Sequence, residues 1–215
     1  NPKECIERCK PFGIKVFCDV TDLTYAKKVE ELGADAVIAV NSVAGGHAGN
    51  IPPEELIPML KKELSIPIIS AGGVRNSDDI KKILDLGASA VSVGTIFIAS
   101  EEAGVSDDYK NALVQYGEKD IVRTTKMSGS ALTVINTPYV QTIGTEASFL
   151  EKLMHRNKWL KKYIKMFIAV RGLNKISNAA NKATYKTVWV AGPSIESIKA
   201  VEPISVIIKR LVSGL

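Results

Sequence analysis

The sequence predicts an α/β fold built on a parallel sheet, and three observations predict it. Four short apolar runs rich in β-branched residues recur at regular distance, at Lys15–Val20, Ala36–Val40, Pro67–Ala71 and Ala90–Gly94. Segments with helical spacing of apolar residues separate them. The phrase Gly33-Ala34-Asp35-Ala36-Val37 is echoed by Gly87-Ala88-Ser89-Ala90-Val91, each at a helix-to-strand turn, as repeated βα units require. Strand, helix and strand at this spacing imply parallel pairing through right-handed crossovers.

Each crossover carries its own helix signals. Leu23, Ala26, Val29 and Leu32 make an apolar stripe that ends at Gly33, a suitable C-cap. Pro52 and Pro53 open the next helix, whose apolar face holds Leu56, Ile57, Leu60 and Leu64. Ser77 is expected to cap the third, with Asp78 and Asp79 in its first turn, Ile80, Ile83 and Leu84 on its face, and Gly87 at its end.

A doubly wound sheet and a barrel both satisfy this pattern. No G-x-G-x-x-G follows the first strand, which argues against a dinucleotide-binding sheet. Polar and glycine-rich residues cluster just after the strands, at the end that forms the active face of a barrel. The expected architecture is a TIM (β/α)8 barrel of which this chain holds four βα units, its C-terminal half, plus a helical lobe. Four units alone leave two parallel edges unpaired and the inner face wet. The chain also opens on Asn1-Pro2-Lys3-Glu4 as if inside a helix–strand unit, so a longer enzyme is expected. The half barrel is assigned to residues 1–104, the helical lobe to 105–185 and a C-terminal helix returning to the barrel to 186–215. That last helix is drawn over Ser194–Leu211 by the spacing of Ile195, Ile198, Val201, Ile204, Ile207, Ile208 and Leu211. Within the lobe, Lys152, Arg156, Lys158, Lys161, Lys162 and Lys165 read as the solvated basic face of an amphipathic helix.

Composition narrows the function classes. With 215 residues, 46% of them hydrophobic, the chain can bury a core. The net charge of +5 is moderate and acidic residues are interspersed throughout, so no nucleic-acid tract is indicated. Cys5, Cys9 and Cys18 form no CxxC pair, and His47 and His155 are the only histidines, so no metal site is expected. No apolar run reaches membrane-spanning length and no charged-then-apolar leader opens the chain. A soluble, cytoplasmic protein is the expectation.

Two glycine features end the third and fourth strands, Ser70-Ala71-Gly72-Gly73-Val74 and Ser92-Val93-Gly94-Thr95. A phosphate dianion needs several N–H donors, and bare glycine backbone lets it approach closely. The loops after the last two strands are the recurring phosphate site of a (β/α) barrel, and the helix that follows Gly73 offers a positive dipole end. The stretch Asn41-Ser42-Val43-Ala44-Gly45-Gly46-His47-Ala48-Gly49 follows the preceding strand. Glycines beside a lone histidine let the backbone fold over a flat ligand and leave the imidazole exposed to it. A group that titrates near neutrality suits proton removal beside an electron-accepting ring.

In order and spacing, Gly33-Ala34-Asp35-Ala36-Val37, Ala44-Gly45-Gly46-His47, Ala71-Gly72-Gly73-Val74, Gly94-Thr95 with Phe97, and Glu101-Glu102-Ala103 resemble the nitronate monooxygenase (2-nitropropane dioxygenase) family. Its relatives include the FMN-dependent enoyl-acyl-carrier-protein reductases. The resemblance runs weakly on to Ala191-Gly192. It implies FMN inside a TIM barrel, with the phosphate on Gly72, Gly73, Gly94 and Thr95. It also implies Ala44, Gly45 and Gly46 against the flavin and His47 as the base. The implied reaction takes an alkyl nitronate and O2 to a carbonyl compound and nitrite. Val43, Ile96 and Pro193 depart from the acidic residue, arginine and glutamine that relatives commonly carry there. Two alternatives stand beside this reading. One is an NAD(P)H-dependent enoyl-thioester reductase, whose Lys158–Lys165 face would receive an acidic carrier protein. The other is a non-catalytic flavin or phosphate-ligand module. Self-association as a homodimer is compatible with each.

Overall fold

In the computed structural model, which describes residues 2–125, 131–146 and 188–215, the chain divides into two units. Asn1–Ala44, Ala48–Gly94 and Lys209–Leu215 make the first; Gly45–His47 and Thr95–Ile208 make the second.

The first unit follows the predicted alternation. After α1 (Lys3–Cys9) come β1 (Phe17–Val20), α2 (Leu23–Glu31), β2 (Ala36–Val40), α3 (Pro53–Glu63), β4 (Ile68–Ala71), α4 (Ser77–Asp85) and β5 (Ala90–Ser92). The intervening β3 (Gly46–His47) belongs to the second unit. The four strands form one parallel sheet in the order β1-β2-β4-β5. Spatial order follows chain order without a reversal. That is the progression of a barrel, because a doubly wound sheet reverses at a switch point.

Register decides which residues are buried. Cys18 stands beside Val37, and Val37 beside Ile68, so Cys18, Val20, Val37, Ala39 and Ile68 share the face that packs on Ala26, Val29, Leu56 and Leu60. These side chains are at most 8% exposed, and each large one contributes roughly 1.5–3 kcal/mol by burial. On the opposite face Phe17, Asp19, Ala90 and Ser92 are exposed.

The helix–strand turns are equivalent, as the echoed phrase predicted. Gly33 (φ 90°) and Gly87 (φ 106°) both take the left-handed conformation that ends a helix. Asp35 N then donates to Val16 O, and Ser89 N to Ile68 O, the same link at the start of each neighbouring strand. The Asp35 carboxylate also accepts from Val16 N and pairs with Lys15, which holds it below the usual carboxylate range. One cap differs from expectation. Asn76, not Ser77, is the N-cap of α4: its backbone is extended and its Oδ1 accepts from Asp79 N, while Ser77 is already helical.

The second unit is mixed. Alongside α5 (Thr95–Ile98), α6 (Asp107–Gln115) and α7 (Pro138–Ile143) it contains β6 (Ile121–Thr124) and β7 (Leu132–Ile135). With β3 these form an antiparallel sheet in the order β3-β7-β6. Thus the described part of the stretch read as a helical lobe also carries strands. They are antiparallel, so their β-branched residues do not recur with the spacing of the parallel βα units. Leu132, Val134, Val140 and Val188 form a small core there. The basic residues Lys152–Lys165 lie outside the described residues. The C-terminal helix is shorter than its periodicity suggested. A 3-10 turn (Pro193–Ser197) and an extended piece precede α8 (Ile204–Val212), because Pro203 keeps Glu202 out of helical conformation. Its end, from Lys209 on, belongs to the first unit, the one that holds the parallel sheet.

Candidate active site

The predicted site residues fall into two sets, each packed within its own unit. Ala44, Gly72, Gly73 and Gly94 lie in the first, and Gly45, Gly46, His47 and Thr95 in the second.

In the first unit the end of β4 meets the loop that follows β2. Gly72 and Gly73 both have positive φ, 111° and 86°. A Cβ on Gly72 would lie 2.5 Å from Asn41 Oδ1 and 2.6 Å from the backbone of Ala44, and one on Gly73 would lie 2.8 Å from Val43 Cγ2. Their bareness is therefore required by loop-to-loop contact, a reason the sequence does not show. Only Gly94, with nothing within 4 Å of its Cβ position, opens on free space as anticipated for ligand approach. Among the described residues the amides of Gly72, Gly73 and Gly94 have no protein acceptor. They are donors available to an anion, as a phosphate site needs.

The neighbouring helix contributes less than the sequence suggested. At the start of α4, Asn76 takes up one N–H and Asp78 and Asp79 occupy the first turn. Arg75 is committed to a bidentate pair with Asp79, at 2.9 and 3.0 Å, which holds the Asp79 carboxyl below its ordinary range.

Sequence reasoning missed Asn41. It is fully buried, and its side chain donates to Gly72 O (3.1 Å) and accepts from Val43 N (3.0 Å). The available signal was a lone amide side chain at the end of a buried strand, where every polar atom needs a partner.

In the second unit a close backbone contact fixes the Gly-Gly-His stretch. A Cβ on Gly45 would meet Gly192 N at 2.7 Å and Thr95 Oγ1 at 2.9 Å, and Gly46 (φ 77°) lies under Val190. Gly192 N donates to Thr95 Oγ1 at 3.1 Å. Thr95 is 8% exposed, and its hydroxyl oxygen accepts this bond while its hydroxyl hydrogen is left to donate. The Val188–Gly192 segment is held in turn by Tyr109, which stacks on Trp189 and donates its hydroxyl to Val190 O. Burial pushes that phenol above its ordinary range, so it stays protonated. Gly46–His47 is a short strand paired with Leu132–Thr133, not an irregular loop. His47 is exposed, and among the described residues its ring makes no hydrogen bond. Of the departures from the family pattern, Ile96 is a core residue at 2% exposure, Pro193 begins the 3-10 turn and Val43 packs over Gly73.

These loops stand in the order and spacing of one family, whose model matches residues 1–214 of this chain. The chain belongs to the nitronate monooxygenase family. It is 32% identical over 141 residues to an octahydro-1H-indene-4-carboxyl-CoA dehydrogenase of Rhodococcus jostii, a match covering 66% of this chain and 40% of the relative. It is 33% identical over 135 residues to a nitronate monooxygenase of Paraburkholderia phytofirmans, covering 59% and 37%. Among solved structures, FabK from Thermotoga maritima superposes over 99% of this chain and 64% of its own, with a TM-score of 0.81 and 28% identity. The chain spans about two fifths of the length of the curated relatives it matches. Family and fold together make this an oxidoreductase-family chain with part of a (β/α) barrel. Among the described residues no helix is long and apolar enough to cross a membrane, and no His, Cys, Asp and Glu cluster could hold a metal ion.

Proposed function

We propose that this protein is an FMN-dependent nitronate monooxygenase. The observation that carries the reading is the family match over residues 1–214, with its Ala-Gly-Gly-His stretch presenting an exposed His47 that makes no ring hydrogen bond among the described residues. The residues assigned to FMN are Gly72, Gly73, Gly94 and Thr95 for the phosphate, with Ala44, Gly45 and Gly46 for the flavin. Within the first unit, the amides of Gly72, Gly73 and Gly94 have no acceptor among the described residues, which suits a dianion. FMN held by these residues would supply the redox chemistry by which an alkyl nitronate and O2 give a carbonyl compound and nitrite. His47 is assigned the role of base: its ring is exposed and makes no hydrogen bond among the described residues, so it is at liberty to take the proton from the nitro-bearing carbon of a neutral nitroalkane and so form the nitronate. The buried Tyr109 holds the Val188–Gly192 segment through its bond to Val190 O and its stacking on Trp189. Under this reading the protein works in the cytoplasm on a small-molecule substrate, as a monomer or a homodimer.

The purified protein is expected to be yellow, to release FMN on denaturation and to consume O2 with propyl-2-nitronate. His47→Ala is expected to retain FMN and to lose turnover of neutral 2-nitropropane by at least about a hundredfold, while propyl-2-nitronate, which needs no deprotonation, is still oxidised. A colourless protein refutes the flavin assignment, and a His47→Ala variant with undiminished 2-nitropropane turnover refutes the base. The likeness to FabK over 99% of the chain favours one second reading, an NAD(P)H-dependent enoyl-thioester reductase. NAD(P)H oxidation that requires an enoyl thioester, without nitronate-dependent O2 uptake, would select it.

A further inference from the structure

Asn41 is fully buried at the end of β2, and all its polar atoms are engaged within the first unit. Its backbone N–H donates to Ala71 O (3.2 Å), and its carbonyl accepts from Ala44 N (3.3 Å) and Gly49 N (3.2 Å). Its Oδ1 accepts from Val43 N at 3.0 Å, an Asx turn. Its Nδ2 donates to Gly72 O at 3.1 Å and to Ser70 Oγ at 3.4 Å. The reverse amide orientation would set N–H against N–H and oxygen against oxygen, so these partners fix it. One side chain thus ties the loop after β2 to the end of β4.

The consequence lies in one peptide plane. The unit joining Gly72 to Gly73 is trans and planar, so its carbonyl and its N–H point in opposite directions. Anchoring Gly72 O on Asn41 therefore turns Gly73 N–H away from Asn41, where it has no acceptor among the described residues. Two glycines in succession would otherwise let this peptide rotate at little cost.

We propose that Asn41 is the positioning residue that presets the anion-binding amide of Gly73, orienting it for the phosphate of FMN before the cofactor arrives. This rests on the flavin reading above, and it assigns to Asn41 the phosphate end alone. Asn41→Asp keeps the acceptor for Val43 N but sets a carboxylate oxygen against Gly72 O. Asn41→Ala removes both contacts without adding charge.

Binding of FMN and of riboflavin, which lacks the phosphate, would be measured on the purified protein by quenching of flavin fluorescence. Hydrogen exchange would be followed in the flavin-free protein. Both variants are expected to bind FMN at least about tenfold more weakly while riboflavin changes less than about twofold. Exchange should rise together in residues 41–50 and 68–76 and stay unchanged in α2. Equal loss of both flavins, with exchange raised throughout, makes Asn41 an ordinary structural residue and overturns the proposal. An effect confined to Asn41→Asp overturns it too, since charge repulsion then suffices. A wild-type protein that takes up neither flavin refutes the functional reading, and this inference with it. Wild-type binding with undiscriminating variants refutes this inference alone.

Discussion

Replacing Gly72 by alanine is expected to destabilise the first unit by about 3–5 kcal/mol, and the structure supplies each part of that figure. At φ 111° an L-residue is strained, at a cost of roughly 1–3 kcal/mol. The new methyl would stand 2.6 Å from Ala44 N and Cα and 2.5 Å from Asn41 Oδ1. Backbone cannot swing aside as a side-chain tip can, so the two loops must part. Such overpacking costs roughly 1–3 kcal/mol, and losing the Asn41–Gly72 hydrogen bond about 1 kcal/mol more. These contributions overlap, which keeps the total below their sum. Gly94→Ala is the control, since its Cβ would meet nothing within 4 Å and its φ is unexceptional. Its effect on flavin-free stability should stay within about 0.5 kcal/mol, while FMN binding weakens about tenfold as the methyl enters the phosphate's approach. Urea unfolding of both flavin-free variants, followed by circular dichroism, measures the first quantity, and flavin titration of Gly94→Ala the second. A Gly72→Ala variant within about 1 kcal/mol of wild type would show that the two loops part at little cost, against the expectation. A Gly94→Ala variant as destabilised as Gly72→Ala would equally refute a cost set by these contacts.

Gly45→Ala should destabilise the second unit by about 1–3 kcal/mol, because its methyl would lie 2.7 Å from Gly192 N and 3.0 Å from Ala191 C. Thermal unfolding of the flavin-free protein checks this, and an unchanged midpoint would show that the Val188–Gly192 segment yields freely. Asp79 is held below its ordinary carboxylate pKa chiefly by Arg75. Its contribution is therefore fully present above the unfolded value near 4 and is lost as pH falls through the lower folded value. Asp79→Asn is expected to remove about 1 kcal/mol at neutral pH and to flatten the acid limb of the stability profile. Parallel acid limbs in the variant and wild type would show that the pair contributes no pH dependence.

The sequence by itself determined what depends on neighbours along the chain. Alternating strand and helix periods, the glycines that end α2 and α4, and the echoed turn at Gly33 and Gly87 were legible because each is a local conformational preference. The motifs around Gly72, Gly94 and His47 were legible as well, since their order carries the family. What only the tertiary structure decided is which residues meet across the chain. Gly72 must be bare because Ala44 lies against it, Gly45 because Gly192 does, and neither partner is near in sequence. Asn41 became visible only once its amide was seen to bridge two loops. The strand at Gly46–His47 exists because Leu132 and Thr133 pair with it, and no period can be read from two residues. Local propensity fixes elements, whereas close contacts depend on packing, and packing joins residues that the chain keeps far apart.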